Sequence, residues 1–184
     1  MRSLFLSAAF VAGLAAPAFA AGLEIDVTGQ ANGTIVIDLA DDVAPQHVEQ
    51  ITALAEAGAY DGVVFHRVID GFMAQTGDVQ HGRIGGTPGL AGTGGSDRPD
   101  LPAEFSDIPF ERGVVGMARA SDPNSANSQF FIMFGPAPNL NGQYTVVGRV
   151  TSGMDVVDAI KRGDGGNGAV TEEPDVMSAV RVTP

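Results

Sequence analysis

The stretch from Tyr60 to Asp78, YDGVVFHRVIDGFMAQTGD, limits most severely what this chain can fold into. Side chains alternate between the two faces of a β-strand, so an extended reading puts Phe65, Arg67 and Ile69 on one face and stands an arginine among apolar neighbours. A guanidinium stays charged inside a protein, and taking it out of water costs free energy that a partner or a function must offset. Asp70-Gly71 reads as a bend, after which period two puts Met73 and Gln75 on a common face. One short segment thus gathers a fixed cation, a neutral amide and large apolar side chains.

The flanking sequence predicts what could frame that segment. Leu23, Ile25 and Val27 alternate with Glu24, Asp26 and Thr28, and Ile35, Ile37 and Leu39 alternate further on, so two half-buried strands are expected. Asn32-Gly33 between them predicts a tight turn, because both residues tolerate positive φ. Over residues 45–57, Val48, Ile51, Leu54 and Ala55 recur at helical spacing behind Pro45, which suits the first position of a helix, and Gly58 suits its end. Residues 79–102 hold seven glycines and three prolines and read as loop; a loop this long in a compact domain is functional or mobile. Further strands are predicted at 114–119, 129–133, 145–150 and 177–182. A second helix is predicted at 153–162, with Ser152 and Asp155 as a capping box, Met154, Val157 and Ile160 as the buried face, and Lys161-Arg162 complementing the C-terminal dipole. Pattern alone therefore gives a mainly antiparallel β protein with two helices.

The first twenty residues stand apart. Met1-Arg2, an apolar or small-residue run over 4–16, and the A-x-A triplet Ala18-Phe19-Ala20 read as a secretory signal peptide at 1–20, leaving a single domain at 21–184. A periplasmic location is the expectation that follows. No later stretch reaches membrane-spanning length, and the absence of cysteine removes any disulfide framework. Losing Arg2 would take the net charge from -12 to -13. Such a chain repels nucleic acid and anionic membrane surfaces and is expected to stay soluble and monomeric.

The central run Phe65-His66-Arg67-Val68-Ile69-Asp70-Gly71-Phe72-Met73-Ala74-Gln75-Thr76-Gly77-Asp78 resembles the motif of the cyclophilin-type peptidyl-prolyl cis/trans isomerases. The resemblance continues through Gly92-Thr-Gly-Gly95, Gly116-Met-Ala118, Asn127-Ser-Gln-Phe-Phe-Ile132 and Leu140-Asn-Gly-Gln-Tyr-Thr-Val-Val-Gly-Arg149. It implies a closed eight-stranded antiparallel β-barrel with a helix over each open end, a solid interior, and a substrate groove on the outer wall. It also implies isomerisation of X-Pro bonds with no cofactor and no metal, and proline-containing polypeptides as partners. The alternatives are a proline-peptide binding module or holdase chaperone without turnover, and a purely structural barrel.

By matching motif, Arg67 and Gln75 become the catalytic pair, and Phe72, Met73, Ala118, Arg119, Gln129, Phe131, Leu140 and Tyr144 the substrate-binding set. Strand alternation agrees at one point, since it puts Gln129 and Phe131 on one face. Arg119 replaces an asparagine found in many family members, and a second arginine beside the groove would bias it toward acidic peptides. Residues 79–91 look like an insertion, because the family spacing before the Gly-Thr-Gly-Gly run is shorter. His66 is expected on the face opposite Arg67, as a packed rather than an acid/base residue. Gly163-Asp-Gly-Gly-Asn-Gly168 lacks the carboxylates of a calcium loop and reads as a flexible connection.

Overall fold

The computed structural model describes residues 21–184 apart from Pro88; the signal peptide expected at 1–20 lies outside the described residues. The elements follow in the order β1 (Gly22–Thr28), β2 (Gly33–Leu39), α1 (Pro45–Glu56), β3 (Val63–Val64), β4 (Arg67–Ile69), β5 (Met73–Thr76), β6 (Val114–Met117), β7 (Phe130–Met133), β8 (Val146–Ser152), α2 (Met154–Ala159) and β9 (Val176–Thr183). The strands make one antiparallel sheet in the order β3-β9-β1-β2-β8-β6-β7-β5-β4.

The two end strands of that order, β3 and β4, are consecutive in the chain and are joined by Phe65 and His66 alone. The sheet therefore curls into a half-barrel whose two edge strands are linked at a seam by the chain itself without pairing to each other, and the closed barrel expected is corrected to this curled sheet. The eight strands expected become nine because the run 65–69 divides at that seam. Phe65 turns into the inner core, whereas Ile69 packs in a cluster on the outer face with Arg67 beside it. The shared face expected for Phe65 and Arg67 is therefore corrected: the backbone leaves the ladder at Phe65, whose N–H goes to the Asp175 carbonyl, and strand alternation does not carry across such a break.

Two local expectations also change. β1 and β2 are joined by a wide loop in place of a two-residue turn, since Val27 already pairs with Gly33. The buried Asp175 carboxylate accepts the Ala31 N–H and so supports that loop from β9's side of the molecule. The second helix is shorter than expected, and its capping box does not form. Ser152 still belongs to β8, and the residue entering α2 is Gly153 at φ 83, where a Cβ would fall 2.2 Å from the Thr34 carbonyl. Ile160 is extended, so Lys161 and Arg162 lie past the helix, donating to Asp175 and Glu172 and to Asp70.

Helix α1 forms as expected. Val48, Ile51, Leu54 and Ala55 enter the inner core beside β9. Its N-terminus has no side-chain cap of its own, and Glu104 supplies one from across the fold, accepting the Gln46 and His47 N–H groups and the His47 ring. A carboxylate there satisfies orphan donors and meets the positive end of the helix dipole. Burial works to raise the Glu104 pKa, but these donors outweigh it and hold the carboxyl below its ordinary value.

Candidate functional site

Alternation along β5 and β7 builds the floor of the site. In β5, Ala74 faces the inner core while Met73 faces out; in β7, Phe130 and Ile132 face in while Phe131 and Met133 face out. The strands are registered so that Gln75 pairs with Phe131 and, on the other side, with Arg67. The outward residues join Phe110, Val114, Ala137, Leu140 and Val146 in a second apolar cluster, with Phe72, Ala118 and Tyr144 at its rim.

Gly116 makes the aromatic part of that cluster possible. A Cβ there would lie 2.6 Å from atoms of both Phe110 and Phe131, and without it the two rings lie over β6, stacked at 5.8 Å. Phe131 meets Tyr144 edge to face at 5.9 Å.

The result is a shallow slot of about 170 Å³ lined by Arg67, Phe72, Met73, Gln75, Ala118, Arg119, Phe131, Leu140 and Tyr144. Nine of the ten residues carried over from the family motif thus meet in one place. The tenth, Gln129, lines an adjoining polar pocket of about 270 Å³ with Gly92, Gly94, Asn127 and Ser128.

The slot and the polar pocket are joined by a chain of hydrogen bonds whose polarity is fixed by its cation. A guanidinium only donates, so Arg67 Nη1 must meet the oxygen of the Gln75 amide, at 3.0 Å. Gln75 Nε2 then donates to Gln129 Oε1 at 2.9 Å. Gln129 Nε2 in turn donates to the Gly92 and Gly94 carbonyls at 3.0 and 2.8 Å. Every amide orientation in the row follows from the arginine.

On its other side Arg67 is held by Asn167, which the sequence reading passed over. Nε donates to the Asn167 carbonyl at 3.0 Å and Nη2 to its side-chain oxygen at 3.1 Å. Asn167 adopts φ 56, a left-handed conformation that asparagine enters more readily than most residues. The loop around it is tied down rather than a flexible connection: the Asp164 carboxylate accepts from the backbone and side chain of Thr171, and Gly163 N–H bonds to the Val68 carbonyl. The available signal was Asn-Gly within a glycine-rich loop, but that pattern marks a turn anywhere in a chain.

With three oxygen acceptors taken and the second Nη1–H on the Met73 sulfur, a guanidinium with five N–H bonds keeps one Nη2–H for a ligand. Burial lowers the Arg67 pKa from its ordinary value, and the group remains a cation. Arg119 spans the rim, its guanidinium 4.4 Å from the centre of the Tyr144 ring.

The insertion is anchored beside the site. The Asp78 carboxylate is fully buried and accepts the N–H groups of Gln80, His81, Gly92 and Gly94, which span the insertion at its base. Burial acts to raise its pKa, and the four donors together bring it below the ordinary value. Ile84 and Leu90 on the insertion remain exposed, at 71% and 41%. His66 lies behind the seam against Gly92, 6% exposed, and burial pushes its pKa down; this is the packed histidine expected on the far side from Arg67. Among the described residues no group of three or more His, Asp or Glu is placed to hold a metal ion, and no helix is long and apolar enough to cross a membrane.

The geometry can be set beside known proteins. The sequence profile of the family described as cyclophilin type peptidyl-prolyl cis-trans isomerase/CLD matches residues 23–182. A probable peptidyl-prolyl cis-trans isomerase of Brucella suis is 55% identical, over 97% of this chain and 95% of its own length. A cyclophilin from Hirschia baltica superimposes with a TM-score of 0.70 at 27% identity, covering 86% of this chain and 72% of the other. A cyclophilin type peptidyl-prolyl cis-trans isomerase of Cryptosporidium parvum, solved in the presence of the dipeptide Ala-Pro, has the same fold, with a TM-score of 0.75 at 24% identity over 89% of this chain and 99% of the other. A curled sheet bearing an apolar slot and a tethered arginine on its outer wall, and a family match over nearly the whole described chain, agree: this chain belongs to the cyclophilin-type peptidyl-prolyl cis-trans isomerases.

Proposed function

We propose that Arg67 is the catalytic residue of this isomerase, that Gln75 orients it, and that the slot formed by Phe72, Met73, Phe131 and Leu140 holds the proline ring. Rotation about a peptide bond faces a barrier of about 18 to 20 kcal/mol because the nitrogen lone pair is conjugated with the carbonyl. As the amide twists, that pair localises on nitrogen and becomes a hydrogen-bond acceptor it was not before. A donor that meets it only in the twisted form stabilises the transition state over both planar states, and such differential binding is what accelerates a reaction.

The observation that carries the assignment is the tethering of Arg67. Gln75 and Asn167 grip the guanidinium from two sides above the slot and leave an Nη2–H for a ligand. A donor fixed in advance avoids reorganisation when charge shifts. The natural substrates in this reading are X-Pro bonds of exported polypeptides, met in the periplasm by a monomer that has lost residues 1–20. Support for the location comes from the n-region, apolar run and A-x-A triplet of the N-terminus, and support for the monomer from the acidic balance of the chain.

Replacing Arg67 by Ala is expected to lower exchange of an Ala-Pro peptide by roughly 10²-fold or more, the scale of losing one transition-state donor, while peptide binding persists. Full activity in a folded Arg67→Ala variant would refute the role. Peptide affinity without any exchange in the unaltered protein would favour the binding module. N-terminal sequencing of protein recovered from a periplasmic fraction should begin at Ala21; a chain still carrying Met1 in the cytoplasm would refute the location.

A further inference from the structure

We propose that the groove prefers prolines with an aspartate or glutamate nearby, and that Arg119 reads the carboxylate from the wall shared by the proline slot and the polar pocket. The proposal rests on the isomerase reading of the slot and adds the class of peptide that it takes.

The argument begins with charge. Asp and Glu outnumber Lys and Arg by 22 to 10 in this chain, yet neither the slot nor the polar pocket is lined by a single carboxylate, and their shared residues are Gln75, Ala118 and Arg119. Four arginines elsewhere are neutralised: Arg112, Arg149, Arg162 and Arg181 each have a carboxylate within salt-bridge distance. Among the described residues Arg67, Arg83, Arg98 and Arg119 have none, and of these four Arg67 and Arg119 line the slot or the polar pocket. In a chain this acidic, two unpaired cations facing one acid-free groove form a local field opposite in sign to the protein's own.

Arg119 is also rigid enough to act as a reader. Nε and Nη2 donate to the Gln143 carbonyl at 3.3 and 3.0 Å, and Nη1 donates to the carbonyls of Ala120 and Ser121 at 2.9 and 3.4 Å. The Tyr144 ring beneath it, itself in contact with Phe131 of the slot, holds the guanidinium plane. Carbonyl oxygens satisfy donors without cancelling charge, and one Nη2–H remains over. A carboxylate in the polar pocket would therefore gain a charged donor whose side-chain entropy is already spent. Arg67 has its own work at the twisting bond, which leaves Arg119 as the cation for a neighbouring residue. The overall negative charge opposes acidic peptides at a distance, but that repulsion fades beyond roughly 8 to 10 Å at moderate salt, whereas a contact pair in the groove persists.

The test is exchange spectroscopy on Ala-Pro peptides carrying Glu, Gln or Lys at each of the two positions on either side. The expected result is a preference for Glu over Gln of about three- to fivefold at one position, the scale of a half-exposed ion pair, with Lys poorest. Arg119→Gln should erase that ratio, Arg119→Lys should keep part of it because the charge survives, and Arg119→Glu should reverse it in favour of Lys. A merely structural Arg119 would alter all peptides alike and leave the ratio untouched. No preference in the unaltered protein, or a preference that persists in Arg119→Gln, would overturn the proposal. If no peptide exchanges, the isomerase reading fails by itself, and the same ratio taken from binding titrations decides the preference separately.

Discussion

The two faces of the curled sheet carry apolar clusters drawn from the same strands, and they differ in what closes them. The inner cluster takes Ala74, Phe130, Ile132 and Val147 and is sealed by α1, by Phe65 at the seam and by the other strands, so that its large side chains have almost no exposure. The outer cluster takes Met73, Phe131, Met133 and Val146, and neither α1 nor α2 contributes a residue to it; its rim is Phe72, Ala118 and Tyr144, with Arg67 and Arg119 above. Burial on one side of a strand thus supplies cohesion. On the other side it stops short and leaves a slot. The difference teaches that the candidate site is a second core left unfinished, with a cation where the next layer would be.

If that division is sound, damage to one face should stay on it. Ile132→Ala, at a fully buried inner position, is expected to lower unfolding free energy by about 2 to 5 kcal/mol, while peptide affinity of the remaining folded molecules is unchanged. Chemical denaturation combined with peptide titration checks this, and a matching loss of affinity would break the separation. Gly116→Ala is the opposite case, because the added methyl drives into both Phe110 and Phe131. Overpacking of this kind costs about 1 to 3 kcal/mol, and here affinity should fall along with stability, since the displaced Phe131 ring is slot wall.

A smaller effect tests the tether of the cation. Asn167→Gly keeps a residue that tolerates φ 56 and removes only the side-chain acceptor for Arg67 Nη2. Loss of one hydrogen bond of about 1 kcal/mol should appear as a several-fold drop in kcat with KM and Tm nearly unchanged; a change confined to Tm would make Asn167 a loop residue only.

The smallest effect lies behind the seam. Burial depresses the His66 pKa, so the folded protein binds fewer protons there than the unfolded chain. Stability is then complete above the unfolded value near 6.5 and declines as pH falls below it. Tm measured from pH 7.5 to 5 should show this decline, and His66→Gln should flatten it. A slope unchanged by the substitution would mean that other groups carry it.

Much of this was legible along the chain because alternation is a property of the backbone itself. Period two alone puts Met73 with Gln75 and Gln129 with Phe131, and the family resemblance over several segments names nine residues that line one slot. Periodicity failed where the ladder stops. Phe65 and Arg67, two apart in sequence, part company at the seam, and Ser152 cannot cap a helix while it still pairs in β8.

What the sequence determined by itself was the family of fold, the identity of the cation, and the faces of the strands, since each depends on neighbours a few positions away. What only the tertiary structure decided was who holds whom: Asn167 grips Arg67 from 100 positions away, Glu104 caps α1 from 57, and Asp78 gathers four N–H groups at the base of the insertion. Such partners are set by where the curled sheet brings distant loops together, and an Asn, a Glu or an Asp in a loop carries no mark of the donor it will meet. The charge left unpaired at the groove is likewise a property of the assembled surface, because composition counts carboxylates and only the fold places them.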